Sequence, residues 1–509
     1  MTRTGIQYYI LAFFSGTVVL IIETIGVRIL APYLGSAYVV WVNIVGVILA
    51  ALAAGYWVGG VVADRTKKLL APLFFFAAVA VSLIPVARNL LPLLGERFGI
   101  RVGSLIASLL LFAPASMLLG MVTPYLVKLA TEDPERVGSY SGGIFAVSTI
   151  GSIVATFATG FLFIPHFSTT QILWGVVVLL LALASYASLT MKAGKALLAL
   201  VPLAFLASEA FGPAGSGRLI YEKDSQYYNI RIVERAEYGI RRRLLLLDGS
   251  MQGAKFVGRQ AEGGGSRYDG KAEFLVFPYI QLSARLVDAF KPSPARALAI
   301  GGGAYSIPEY IQARYPASEV TVAEIDPAVT EAARRFFLGP AAGSIRTVEA
   351  DGRVFLQRSA GQYDLIYTDA YNGAFSVPWH LASREALAAM RDALRDDGIL
   401  IMNVASSPEG PSSALFRALW KTCDGLFPQA AILATKKDSL GEPQNIILLA
   451  SKSKHPAFEE ELAAFEPFRY RRAVSTGDVP MLTDEFAPTD SLIEPLVMAY
   501  YPILHANIE

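Results

Sequence analysis

Three acidic side chains in the C-terminal half, Glu324, Asp351 and Asp369, each follow a short apolar run, at 320–323, 345–349 and 365–368. An earlier run, 297–300, leads into the glycine turn Gly301-Gly302-Gly303. In a doubly wound sheet the carboxyl ends of the strands open on one crevice, where a small ligand binds. Glycines there let a ligand reach the backbone without interference from Cβ. Glu324 is placed to accept hydrogen bonds from a ribose diol. Asp351, followed by Gly352, can accept from an adenine amino group. Asp369 is followed by a loop, and a carboxylate there can take the proton from an attacking amine. The chemistry is therefore nucleoside binding combined with proton abstraction. Each acid also has a purely architectural use: Glu324 or Asp351 as a helix cap, Asp369 as a turn residue. Asp326-Pro327 already supplies a cap and a first-turn proline for the helix after Glu324.

The elements that must hold these residues alternate between strand and helix from about 295 onward, with a further strand at 399–403. That is the pattern of a parallel α/β sheet. Ahead of it, 228–233 and 243–248 alternate as antiparallel partners around a turn at 237–240. The stretch 260–270 is glycine-rich, and Gly212-Pro-Ala-Gly-Ser-Gly217 reads as a linker.

Composition bounds the rest. Of 509 residues 53% are apolar and 17% charged, against about 25% charged in a soluble protein. The net charge of +1 argues against a polyanionic partner such as nucleic acid. One cysteine, Cys423, excludes an intrachain disulfide and a cysteine zinc site, and the four histidines show no metal-ligand spacing. No metal and no permanently bound cofactor is expected.

The first two fifths carry apolar runs at 8–30, 39–62, 69–91, 102–122, 142–164 and 171–189, each near the roughly 20 residues needed to cross a bilayer. A shorter one, 196–208, reads as a partial or interfacial helix. Small residues (Gly46, Ala50, Ala54 and Gly55; Gly151, Ala155 and Gly160) are candidates for close helix packing in lipid. Glu23 lies inside the first run, where a carboxylate is costly. It reads either as a cation or amine site or as a residue neutralised near the membrane edge. Lys and Arg concentrate on the side holding Arg3, Arg65, Lys67, Lys68, Lys128, Arg136, Lys192 and Lys195. The positive-inside rule makes that side cytoplasmic, and six spans leave the C-terminal domain there too. Trp57-Val-Gly-Gly-Val-Val-Ala-Asp-Arg65 resembles the loop between the second and third helices of major-facilitator transporters. The fold class expected is a multi-domain membrane protein: an all-α transmembrane bundle (1–212), a small β-domain (218–290), and a Rossmann-like, methyltransferase-type α/β domain (291–509).

Gly301–Gly303, Glu324-Ile-Asp326, Asp351-Gly352 and Asp369, with Leu247-Asp-Gly-Ser-Met-Gln252 upstream, resemble the spermidine synthases over roughly 219–448. Val377-Pro-Trp-His-Leu381 and Leu482-Thr-Asp-Glu-Phe-Ala-Pro-Thr-Asp490 look like the membrane-fused branch of that family. The resemblance implies transfer of an aminopropyl group from decarboxylated S-adenosylmethionine to putrescine, with methylthioadenosine released. It places Glu324 on the ribose, Asp351 on the adenine and Gln252 by the sulfonium-side tail, with Asp369 as the base and Tyr228, Asn372 and Trp379 toward the acceptor. It also implies a homodimer at the inner membrane. Several positions depart from the family pattern. Ala304 stands where the family has an acid that pairs with the aminopropyl ammonium. Asn372 replaces a second aspartate and Tyr228 a glutamine, and a tyrosine–histidine pair near Glu273-Phe274 is not evident. Ala304 leaves room for the carboxylate of intact S-adenosylmethionine, so a methyltransferase is an alternative. A nucleoside-binding membrane sensor or transporter without turnover is another.

Overall fold

The computed structural model describes residues 3–34, 38–66, 69–131, 137–191, 217–237, 240–257, 272, 275–371 and 377–506. The segments 196–208 and 260–270, the dipeptide 273–274 and Asn372 lie outside the described residues. The chain forms two compact units, Met1–Ala214 with Lys223–Tyr228, and Gly215–Glu222 with Asn229–Glu509.

The first unit is helical: α1 (Arg3–Leu34), α2 (Tyr38–Arg65), α3 (Leu70–Ala87), α4 (Leu91–Leu111), α5 (Ala113–Ala130), α6 (Val137–Ala158) and α7 (Thr169–Met191). A π-helical turn, Thr159–Phe163, carries α6 on to His166. Among the described residues, six segments are long and apolar enough to cross a membrane: Ile6–Leu34, Tyr38–Arg65, Leu70–Ala87, Ala113–Ala130, Val137–His166 and Thr169–Leu189. The run at 102–122 is not one span. It breaks at Phe112, because Pro114 enters the first turn of α5 and a proline cannot continue the preceding helix. Trp57–Arg65 is likewise not a loop but the last turns of α2.

Helix pairing rests on some of the small residues and not on others. A Cβ on Gly55 would lie 2.3 Å from the Met117 carbonyl oxygen of α5, and one on Gly151 would lie 2.1 Å from that of Phe13 in α1. Gly46 and Gly160, by contrast, have nothing within 4 Å. Side-chain hydroxyls reinforce the α1–α6 contact. Ser152 donates to the Gly16 carbonyl at 3.1 Å and Thr17 to that of Gly151 at 3.2 Å. Glu23 sits half-buried in α1, between the fully buried Ile22 and Ile25.

Next come four strands, β1 (Arg218–Asp224), β2 (Asn229–Glu237), β3 (Ile240–Leu247) and β4 (Ser250–Val257), forming a sheet in that order. The β3–β4 turn is Asp248-Gly249, both left-handed at φ 48° and 75°, the backbone of a tight two-residue hairpin.

The remaining strands are β5 (Arg296–Ile300), β6 (Glu319–Glu324), β7 (Arg346–Glu349), β8 (Tyr363–Thr368), β9 (Leu394–Ser406), β10 (Gln429–Ala434) and β11 (Gln444–Ser451). They make one sheet ordered β10-β11-β9-β8-β5-β6-β7. Pairs from β7 through β9 are parallel, whereas β11 runs antiparallel to both β9 and β10. The sheet is therefore mixed, not wholly parallel: a methyltransferase-type Rossmann-like arrangement. Its faces are covered by α8 (Pro278–Phe290), α9 (Ser306–Arg314), α10 (Pro327–Phe336), α11 (Gly352–Leu356), α12 (Trp379–Ala382), α13 (Arg384–Ala393), α14 (Ala414–Cys423), α15 (Phe458–Ala463) and α16 (Thr489–Ala506). Alternate strand residues feed two cores. Leu298, Ile300, Ile366 and Leu400 point to one face, while Ala297, Ala299, Val322, Leu365 and Ile401 point to the other. From β5 the chain winds outward to β6 and β7, and β8 and β9 wind the opposite way. The crevice at the ends of β5 and β8 is thus the switch point where such sheets bind ligands.

Candidate active site

The glycine turn is set by where its backbone must pass. Gly301 donates to the Ala323 carbonyl at 3.0 Å and sits at φ +87°, where a Cβ would lie 2.7 Å from the Asp369 carbonyl oxygen. Both the conformation and the crowding require glycine. The turn ends at the left-handed Tyr305, buried at the start of α9 with its hydroxyl 2.7 Å from Thr330 Oγ1.

Glu324, at the end of β6, is locked beneath the turn. Its Oε2 accepts from the Gly302 N–H at 2.7 Å and its Oε1 from the Asp326 N–H at 2.9 Å. Burial holds its carboxyl above the usual range, opposed by those backbone donors. Capping of α10 falls instead to Asp326, whose Oδ1 accepts from Ala328 N at 2.9 Å behind Pro327.

Asp351 combines two uses. Oδ1 caps α11, accepting from the N–H groups of Arg353 at 2.8 Å and Val354 at 3.1 Å. Oδ2 faces His380 Nε2 at 3.0 Å, and both side chains are roughly one-third exposed. Gly352 packs where a Cβ would be 2.5 Å from Ile300 Cγ2, holding α11 against the end of β5.

Asp369 follows the end of β8 and is partly buried, with both carboxylate oxygens held by side chains. Asn403 donates to Oδ1 at 2.7 Å, Tyr367 to Oδ2 at 2.9 Å and Tyr279 to the same oxygen at 3.3 Å. Asn445 in turn donates to Asn403 Oδ1 at 3.1 Å, and Tyr371 donates to the Asn403 carbonyl at 2.9 Å. Burial raises the Asp369 carboxyl above its ordinary value, and the three donors work against that rise. Burial and the adjacent carboxylate push the Tyr279 and Tyr367 hydroxyls well up, so both stay protonated donors. An acid in this setting holds a proton more readily than a surface aspartate, which suits a general base.

Nothing local marks Tyr279 as a partner of Asp369. It lies just inside α8 behind Pro278, 90 positions from the acid it serves. Tyr367, Asn403 and Asn445 are likewise unmarked, whereas His380 lies in the Val377–Leu381 motif. Only the alternation within β8 and β9 places Tyr367 and Asn403 near Asp369, and nothing local marks Asn445.

The small sheet meets the glycine turn through β4. A Cβ on Gly253 would come within 2.4 Å of the Ala304 Cβ, and one on Gly303 within 3.2 Å of the Gln252 carbonyl oxygen. Gln252 thus borders the turn. Lys255 braces the arrangement, reaching both carboxylate oxygens of the buried Glu309 in α9 at 3.1 and 3.0 Å. Ala304 is 6% exposed. Trp379 stands beside His380, half-exposed. Tyr228 falls in the segment grouped with the helices, and Asn372 lies outside the described residues.

Fold and site together define a Rossmann-like transferase whose acids gather at the switch point of its sheet. Residues 277–460 match the spermine/spermidine synthase domain. Over 230 residues the chain is 30% identical to a polyamine aminopropyltransferase of Vibrio vulnificus, covering 43% of this chain and 76% of the relative. It is 30% identical over 196 residues to putrescine N-methyltransferase 1 of Nicotiana tabacum, covering 37% of this chain and 46% of that one. A probable spermidine synthase from Corynebacterium glutamicum superposes with a TM-score of 0.40 at 20% identity, over 50% of this chain and 87% of that one. The chain belongs to the spermine/spermidine synthase family of transferases.

Proposed function

We propose that this protein is a membrane-anchored aminopropyltransferase acting on a polyamine such as putrescine, with decarboxylated S-adenosylmethionine as donor. The observation that carries the reading is Asp369, partly buried at the switch point and held by three donors, with Glu324 and Asp351 ending the strands on one side of it. In this reading Glu324 uses its free lone pairs to take the ribose diol, Asp351 Oδ2 takes the adenine amino group, and Gln252 borders the donor's tail. Asp369 binds the acceptor's ammonium and removes one proton. The freed amine then attacks the carbon next to the sulfonium; the C–N bond forms as the C–S bond breaks, and methylthioadenosine leaves with the electron pair. Alignment of amine, carbon and sulfur supplies much of the acceleration. Trp379, Tyr228 and Asn372 complete the acceptor side. Six spans and the distribution of Lys and Arg support a multi-pass inner-membrane protein with this domain in the cytoplasm. A homodimer is part of the reading.

A second reading is methyl transfer from intact S-adenosylmethionine. Ala304 favours it: with its methyl group against Gly253, the turn carries no carboxylate at that position to pair with an aminopropyl ammonium. The relative named putrescine N-methyltransferase points the same way. Calorimetry on detergent-purified protein with each donor and with methylthioadenosine, followed by mass analysis of the acceptor product, separates the two. Tight binding of the decarboxylated donor and an aminopropylated product support the first reading. Preference for the carboxylated donor and a methylated amine overturn it.

A further inference from the structure

The structure assigns His380 as a positioning residue that makes the nucleoside site selective for a 6-aminopurine over a 6-oxopurine. This rests on the reading that Asp351 receives the base. Oδ1 of Asp351 is taken by two backbone N–H groups of α11, so Oδ2 is the oxygen left for a ligand. That oxygen is the one His380 Nε2 meets at 3.0 Å. Against a carboxylate oxygen, Nε2 is the donor, and this bond holds the plane of the Asp351 carboxylate. The edge therefore offers an acceptor: the remaining lone pair of Oδ2, held in direction by His380. A 6-amino group with two N–H donors satisfies such an edge, whereas a 6-oxo group faces it lone pair to lone pair.

The imidazole is also held in place. Ser383, just past α12, caps α13 by accepting from Ala386 N at 3.2 Å and donates to Asp484. The other oxygen of Asp484 takes Arg353 of α11 at 3.1 Å, and its N–H donates to Glu385 at 2.9 Å. Two carboxylate links, Asp351–His380 and Asp484 to Arg353 and Ser383, thus join α11 to α12 and α13. This gives a shared purpose to two sequence features, His380 and the Leu482–Asp490 segment, that the reaction itself leaves unused.

The test measures binding of methylthioadenosine and methylthioinosine to the full-length protein in detergent, for wild type, His380→Phe, His380→Gln and Asp351→Asn. Phe keeps the ring volume without a nitrogen, and Gln keeps a donor. His380→Phe is expected to weaken methylthioadenosine by about 3- to 10-fold, to leave methylthioinosine within about twofold, and to change kcat little while donor KM rises. His380→Gln should restore part of the preference. An unchanged ratio of the two nucleosides in His380→Phe overturns the assignment, as does equal weakening of both with a lowered Tm, which would mean packing alone. If Asp351→Asn abolishes the preference while His380→Phe does not, only the role of His380 falls. If wild type binds neither nucleoside, the underlying reading falls with it.

Discussion

Replacing Tyr367 with Phe removes one hydroxyl and otherwise preserves the core of β8. The hydroxyl lies 2.9 Å from Asp369 Oδ2 and stabilises the ionised carboxylate. A hydrogen bond to a charged group contributes about 1.5–3 kcal/mol, and one pKa unit corresponds to about 1.36 kcal/mol. Loss of the donor thus raises the Asp369 pKa by about one to two units. Tyr279 remains on the same oxygen at 3.3 Å and can close in, which favours the lower figure of about one unit. As a base Asp369 works only when deprotonated, so the acid limb of the kcat/KM profile should move to higher pH by that amount. The plateau above it should change little. Stability follows the same sign. A carboxyl raised on folding keeps its proton longer in the folded state, so stability falls as pH climbs from the ordinary aspartate value, about 3.9, to the folded one. Tyr367→Phe widens that window, and its loss of Tm should therefore be greater at pH 8 than at pH 4. The assay is a pH series of initial rates beside thermal melts at the two pH values. An acid limb that stays put or moves down would refute the claim that Tyr367 tunes the base.

Lys255→Met leaves Glu309, 4% exposed, as an unpaired buried acid between β4 and α9. A loss of about 3–5 kcal/mol is expected, read as a large drop in Tm. Gly253→Val drives a branched side chain into Ala304, where even a Cβ would be 2.4 Å from the Ala304 Cβ. Overpacking of about 1–3 kcal/mol should separate β4 from the glycine turn, with weaker methylthioadenosine binding in calorimetry. In the helical unit, Gly151→Leu sets a side chain against the Phe13 carbonyl. Size-exclusion profiles in detergent should lose their monodisperse peak, while the same change at Gly160, which meets nothing within 4 Å, should not.

Legibility in the sequence tracked how local each determinant was. The glycine turn, Asp326-Pro327 and the three strand-end acids were visible because each is marked by its immediate neighbours: an apolar run, then a residue that ends it. The strands β10 and β11 carry no chemistry at their ends, and an antiparallel return is not encoded by apolar runs, so the mixed character of the sheet went unseen. Tyr279 and Asn445 act on Asp369 and Asn403 across 90 and 42 positions, which only the folded topology brings together. In the membrane half, hydrophobicity stays unbroken through 102–122, and only Pro114 signals that two helices meet there. Small residues were equally ambiguous: Gly55 and Gly46 look alike in the chain, yet one faces a neighbouring helix and the other faces open space.

Asp351 shows why the architectural and functional readings of such an acid need not compete. A carboxylate has two oxygens, each with more than one lone pair, and the cap uses only Oδ1. Capping fixes the rotamer, so the second oxygen is aimed without further ordering cost. Glu324 follows the same logic through two backbone donors rather than a helix. Asp369 differs, because both its oxygens are held by side chains whose hydrogen bonds bear on its proton affinity as well as its direction. Glu324 and Asp351 are therefore built to point, and Asp369 to titrate. A substitution that spares geometry should cost binding at Glu324 and Asp351 and reaction rate at Asp369. The isosteric changes Asp351→Asn and Asp369→Asn, compared by donor Kd and by single-turnover rate, should separate along that line.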